Sequence, residues 1–387
     1  MDVPLSVNCR SCEYRAEPGA ADARDGFKEC WGPLADASPH ILDMYHVSGI
    51  GGRGGPVVNG LVSRGFTALA DLDETDLAKA DGSVGPLALR QRLQREYALR
   101  GEESIGEELP RLLRSHGYPL HFIDFETSRV AVPYHAGMRP YEQVAFQWSC
   151  HTIREPVEAA EHSEWINTED AYPNFEFAQS LMQQLGDRGT VYTWSHHERS
   201  VLTDILRQMN HYGRLDHQLG AWLDAITTGT GQLRIVDLYT LAKDHYFHPL
   251  MKGRLSIKFV LPAVWNANAA LHADPLFERY YRVEPDGRPA DPYKTLPPLP
   301  FPDEEEGDDD ETVVVDGTGA MRAYQEMLYG VSRNYAARKD SWRQLLLQYC
   351  ELDTAAMVMI WKHWRTRMEA AERSGCGRIR TIQQVDD

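Results

Sequence analysis

The strongest constraint on this chain is the run 119–127, PLHFIDFET. In a strand, successive side chains point to opposite faces. Phe122, Asp124 and Glu126 therefore share one face, while His121, Ile123 and Phe125 share the other. Apolar residues on both sides describe a central strand with both faces covered, where a carboxylate without a partner is costly to desolvate. Two adjacent carboxylates call for a cation. The alternative is a strand that ends at Ile123 and leaves both acids in water.

Around this run the chain changes character several times. Residues 1–35 form a short cysteine-bearing segment with little periodicity, too small to fold alone. Residues 36–117 read as a helical module, with apolar residues three and four apart in GPLALRQRLQREYALRG. Its GIGGRGG stretch lacks the Lys-Ser/Thr of a phosphate loop and reads as a connection between helices. Residues 118–387 form the third region. Three strand-like segments, a helix over 174–186, the strand GTVYTWS, a helix from 197, the strand RIVDLY and further helices give the order βββαβαβα. The fold class is α/β, a mixed sheet flanked by helices. A proline-rich and acidic insertion at 285–316 reads as solvated chain, and a long helix over about 337–373 follows.

Composition excludes little. The 387 residues carry 40 basic and 57 acidic side chains, a net charge of -17. Such a balance disfavours a polyanionic partner, since nucleic-acid binding rests on Lys and Arg. Eight of the acids lie in the run Asp303–Glu311, however, and a site that holds cations between carboxylates is itself acidic. Nothing approaches the apolar length of a bilayer span, and the first residues lack a basic and apolar leader, so a cytoplasmic location is expected. Six cysteines are too few for a disulfide scaffold. Cys9, Cys12 and Cys30 cluster early and are candidate zinc or iron–sulfur ligands, one short of the usual four.

Other residues carry chemistry by position. On the terminal helix Trp342, Leu346, Tyr349, Ala356 and Ile360 form an apolar stripe, and Asp353 falls on it one turn after Tyr349. A buried aspartate needs a partner, which a divalent metal, an arginine or a backbone amide would supply. Glu198 opens the helix after GTVYTWS. It either reaches toward Asp124 or closes an S-x-x-E capping box with Ser195. Asp237 ends a strand before a helix and reads as an N-cap ahead of a ligand. His196, His197, His245 and His248 do not form the H-x-x-x-H pair of a zinc enzyme.

The order of these residues resembles that of DEDD-type 3'-to-5' exonucleases of the ribonuclease H-like fold, in the subgroup with a tyrosine in its last motif. Asp124 and Glu126 match the first motif, Glu198 stands where a second aspartate is usual, and Tyr349 with Asp353 match the third. A closer similarity is to a bacterial family known as domain of unknown function 2779. It rests on YPLHFIDFET, RPYEQVAFQWSCH, VYTWSHHE, VDLYTLAKDHYFHPLMKGRLSIKFVLPAV and YCELDTAAM. The early CRSC and GFKECW resemble the tail of a RecB-like nuclease module that precedes this domain in relatives.

These resemblances imply a metal-dependent nuclease, most simply a two-metal 3'-to-5' exonuclease. Two Mg2+ or Mn2+ ions would be held by Asp124, Glu126, Glu198 and Asp353, with Tyr349 orienting water. Phe125 would border a base slot, and Lys258 would meet a phosphate. Arg90, Arg92 and Arg95 of the helical module would grip DNA or RNA. The alternative is an inactive nucleic-acid or protein binding module on the same scaffold, for which glutamate at the second motif and the acidic insertion argue.

Overall fold

The structure, a computed structural model, describes residues 5–16, 24–52, 55–297 and 317–373. It divides into two compact units. The first comprises Met1–Leu109 and Leu241–Ala263, together with Cys376–Asp387, which lies outside the described residues. The second comprises Pro110–Thr240 and Val264–Gly375.

In the first unit, Phe27 and Trp31 share one buried cluster with Ile41, Met44, Ile50, Leu61 and Leu69. The cysteine-bearing segment and the following module thus have a common core, which redraws the boundary expected at 35. Residues 241–263, assigned from sequence to the third region, also belong to this unit. Its reason is visible at Gly253, where φ is +63° and a Cβ would meet the Asp43 carbonyl oxygen at 2.1 Å. Tyr246–Phe247 pairs antiparallel with Ser104–Ile105.

The second unit holds a five-stranded sheet: β1 (Leu120–Ser128), β2 (Val144–Ile153), β3 (Glu161–Ile166), β4 (Arg188–Thr193) and β5 (Gln232–Asp237). The spatial order is β3-β2-β1-β4-β5. β2 runs antiparallel to β1 and β3, whereas β4 is parallel to β1 and β5 is parallel to β4. The strand with the two acids is therefore central, as its apolar flanks require.

Helices α1 (Asn174–Leu185), α2 (His197–His211) and α3 (His217–Thr228) cover one face. Ile123, Phe125, Trp148 and Val191 meet Phe177, Leu181, Leu202, Ile205 and Leu223 there. On the other face lie α4 (Gly317–Leu328) and α5 (Ala336–Arg373), where Phe146 stacks on Tyr324 with ring centroids 4.0 Å apart. Between the fourth and fifth strands there are two helices, α2 and α3, against the one expected. Asp216 caps α3 by accepting the Leu219 N–H at 3.0 Å and so starts a separate helix.

The insertion at 285–316 also differs from its reading as solvated chain. Ala290 and Pro292 are buried, and the short turn Pro292–Lys294 packs Tyr293 against the Phe146 and Tyr324 cluster. Residues 298–316, with the acidic run, lie outside the described residues. Among the described residues no helix is long and apolar enough to cross a membrane.

Candidate metal-binding site

β1 delivers Asp124 and Glu126 to the α5 face. The pairing passes from Glu126↔Gln147 to Thr127↔Ala145, so β2 carries an extra residue, Phe146, opposite the acids. Such a bulge bends the strand and re-aims the side chains next to it. α5 runs over this face. Tyr349, Cys350 and Asp353 lie on its buried side because they fall on the stripe that includes Leu346 and Ala356. The Cys350 thiol donates to Asp124 Oδ2 at 3.4 Å. Asp124, Glu126 and Cys350 each offer one ligand atom within 4.8 Å of the others. From the turn at 292–294 the Tyr293 hydroxyl donates to Asp353 Oδ1.

Glu198 enters from the far side of β1, in the first turn of α2. It is 2% exposed, and its Oε2 is buried without a hydrogen-bond partner. The capping box does not form. The Ser195 N–H donates instead to Asp237 Oδ1 at 3.0 Å, while Ser195 Oγ accepts the His197 N–H at 3.2 Å. Asp237 Oδ1 also accepts the Tyr239 N–H, and Oδ2 accepts from the Thr240 hydroxyl, so this residue is the N-cap that its position suggested. Ser195 has φ +112°, a strained value for a non-glycine residue. Asp237 and the Thr193 hydroxyl, which donates to the Ser195 carbonyl, hold that strained corner and thereby point Glu198 inward.

The charges of the acids act on one another, although Glu198 and Asp353 fall outside the group whose ligand atoms lie within 4.8 Å of each other. Burial pushes Glu198 well above the usual carboxylate range, and the charges of Asp124, Asp237 and Asp353 push it further. The Tyr349 phenol is raised by burial and by Asp353, Glu126 and Asp124. Burial and the same three acids raise the Cys350 thiol. Negative charge thus converges on one point from β1, α2 and α5, and buried like charges do not persist without compensation.

A divalent cation fits this donor set. The carboxylates of Asp124, Glu126, Glu198 and Asp353 are hard oxygen donors of the kind Mg2+ and Mn2+ take. The Glu198 Oε2, buried without a hydrogen-bond partner, is an acceptor that such an ion could use. Cys350 is held as a thiol by burial and then by its acidic neighbours, so it acts as a donor to Asp124.

The remaining expected residues are elsewhere. Phe125 is in the opposite core, edge-on to Phe177 at 4.8 Å, so it borders no base slot. Lys258 lies in the first unit, in the helix Ile257–Ala267. Arg90 is 6% exposed and donates to the Tyr246 carbonyl at 2.7 Å, Arg92 bonds the Glu74 carbonyl and carboxylate, and Arg95 bonds the Leu69 carbonyl. Arg90 is thus fastened into the first unit's own structure, which corrects its reading as a nucleic-acid grip, while Arg92 and Arg95 keep part of their surface open. Cys9 and Cys12 pack beside the Phe27 cluster and Cys30 is exposed. Among the described residues Asp124, Glu126 and Cys350 are the one ligand group of three or more, and it includes none of these cysteines.

Two site residues were not singled out from sequence. Cys350 follows Tyr349 on the same helical stripe, and that spacing was a usable signal. Tyr293 sits among prolines, where no periodicity marks it.

Residues 121–256 match the model of a domain of unknown function, DUF2779, which supports that family for this part of the chain. The matched stretch includes Asp124, Glu126, Glu198 and Asp237 and ends before Tyr293, Tyr349 and Asp353. No curated protein and no solved structure matches the chain.

Proposed function

We propose that the sheet-bearing unit has a ribonuclease H-like fold and is a metal-dependent nuclease, a 3'-to-5' exonuclease that hydrolyses phosphodiester bonds. The observation that carries this reading is the Glu198 carboxylate, buried with an unpartnered oxygen and raised further by the charges of Asp124, Asp237 and Asp353. The sheet order β3-β2-β1-β4-β5 with only β2 reversed supports it, since the first strand then carries the leading acids at the sheet's centre.

Asp124, Glu126, Glu198 and Asp353 would hold two Mg2+ or Mn2+ ions. When bound, such ions make water a better nucleophile and stabilise charge on the departing oxygen. The protein's own groups do the rest. Tyr349 keeps its proton because burial and three acids oppose ionisation, so it can donate to the attacking water and hold it in line. Tyr293 fixes one oxygen of Asp353 by donating its hydroxyl to it. Cys350 orients Asp124 in the same way.

The test is degradation of a 5'-labelled single-stranded DNA and the matching RNA with Mn2+, Mg2+ or EDTA. A shortening ladder that needs metal and vanishes in Asp124→Ala and Asp353→Ala supports the proposal. Intact substrate with well-folded wild type in every metal contradicts it and favours a binding module.

A further inference from the structure

In the same unit as the acids lies a hollow of about 350 Å³, between the loop 129–143 and the C-terminal half of α2. Its lining includes Arg129, Arg139, Arg207 and His211. In a chain of net charge -17, this gathering of cationic side chains is unusual. Two acids are also present, and both are engaged. Asp204 is shared by Arg129 at 3.4 Å and Arg207 at 3.0 Å. Glu142 accepts from the Tyr212 and Tyr172 hydroxyls and from the Arg139 N–H. Three arginines against two carboxylates leave a positive surplus, and the Arg139 guanidinium donates to His211 Nδ1 at 3.2 Å.

The hollow is joined to the acids through short connections. Arg129 directly follows β1, three residues after Glu126. It is close enough to His197 to depress that imidazole, after burial, and His197 in turn reaches the Thr127 hydroxyl at 3.4 Å. Arg207 lies nine residues beyond Glu198 on α2, about 13 Å along the helix. Over the hollow's rim Tyr141 is 66% exposed at φ +59°, a strained backbone that holds an aromatic ring in water.

We propose that this hollow binds the sugar-phosphate backbone of a single nucleic-acid strand upstream of the bond presented to the acids, with Tyr141 stacking on a base. The inference rests on the nuclease reading and names its substrate class. A cleft with a surplus of positive charge attracts polyanions, and an exposed aromatic beside cationic groups is the recurring device for sequence-tolerant single-strand binding. The volume suits one backbone unit and not a duplex.

The experiment measures fluorescence anisotropy of 5'-labelled oligo-dT and oligo-U with wild type in EDTA, over a range of NaCl. Arg139→Ala/Arg207→Ala should weaken binding about tenfold or more and reduce the salt slope by about 0.7 for each lost phosphate contact. Arg139→Lys/Arg207→Lys should recover most of the affinity, which a folding defect would not allow. Tyr141→Ala should weaken binding without changing the salt slope. Arg154→Ala, an exposed arginine on the far strand pair with Glu161, should bind as wild type does. Unchanged affinity in the double alanine variant, or tighter binding of a duplex, would overturn the proposal. So would a wild type that binds no strand yet hydrolyses bis(p-nitrophenyl) phosphate with Mn2+; that result leaves the nuclease reading standing. Failure of both strand binding and ester hydrolysis would remove the two together.

Discussion

Glu198 is the residue whose environment is least like that of a structural side chain. A buried carboxylate without a partner is held above its ordinary pKa, so the folded protein binds a proton there more tightly than the unfolded chain does. Stability from this group is therefore greatest below pH 4.5 and declines as pH rises above it. Glu198→Gln should remove that decline. Unfolding by denaturant from pH 4.5 upward should show the variant gaining on wild type in EDTA, and a constant difference would contradict the account. Tyr293 makes a second residue-scale prediction. Loss of its hydroxyl in Tyr293→Phe removes one restraint on Asp353, and outer partners of this kind are worth about 10- to 100-fold in metal affinity. Calorimetric titration with Mn2+ should show that loss, with the thermal unfolding of the metal-free protein little changed.

Elements, more than single residues, decide which acids meet. β1 was legible because its two-residue period put both acids on one face, and α5 because Tyr349 and Asp353 fell on its apolar stripe. The corner before α2 was not legible. Its S-x-x-E pattern fits a capping box as well as a ligand, and only the strained Ser195 amide, drawn to Asp237, decides between them. The long-range hydrogen bond from Tyr293 had no local signal, since its turn is fixed by burial of Ala290 and Pro292. Arg90 misled because a helical face of arginines resembles a solvated surface, whereas this guanidinium serves a backbone carbonyl. α5 is held by apolar contacts such as Leu346, which is fully buried. Leu346→Ala should cost about 2 to 5 kcal/mol of stability in urea titration. Added Mn2+ should recover part of it, since binding favours the folded state.

The whole molecule joins a sheet-bearing unit to a first unit built partly from residues 241–263, which a left-to-right reading assigns to the wrong side. Discontinuous units are hidden from sequence because the contacts that define them, such as Arg10 to the Gly253 carbonyl, span most of the chain. On the proposed reading the acid cluster is a strain that a bound cation would relieve. Wild type should therefore gain thermal stability with Mn2+ or Mg2+ in a concentration-dependent way, measured by differential scanning fluorimetry, and Asp124→Ala/Asp353→Ala should not. The most direct test of the central claim is a crystal grown with Mn2+ and its anomalous difference map. The account predicts two peaks roughly 3.5 to 4 Å apart among Asp124, Glu126, Glu198 and Asp353. A well-ordered site without manganese, with Glu198 paired to a cationic side chain, would contradict it.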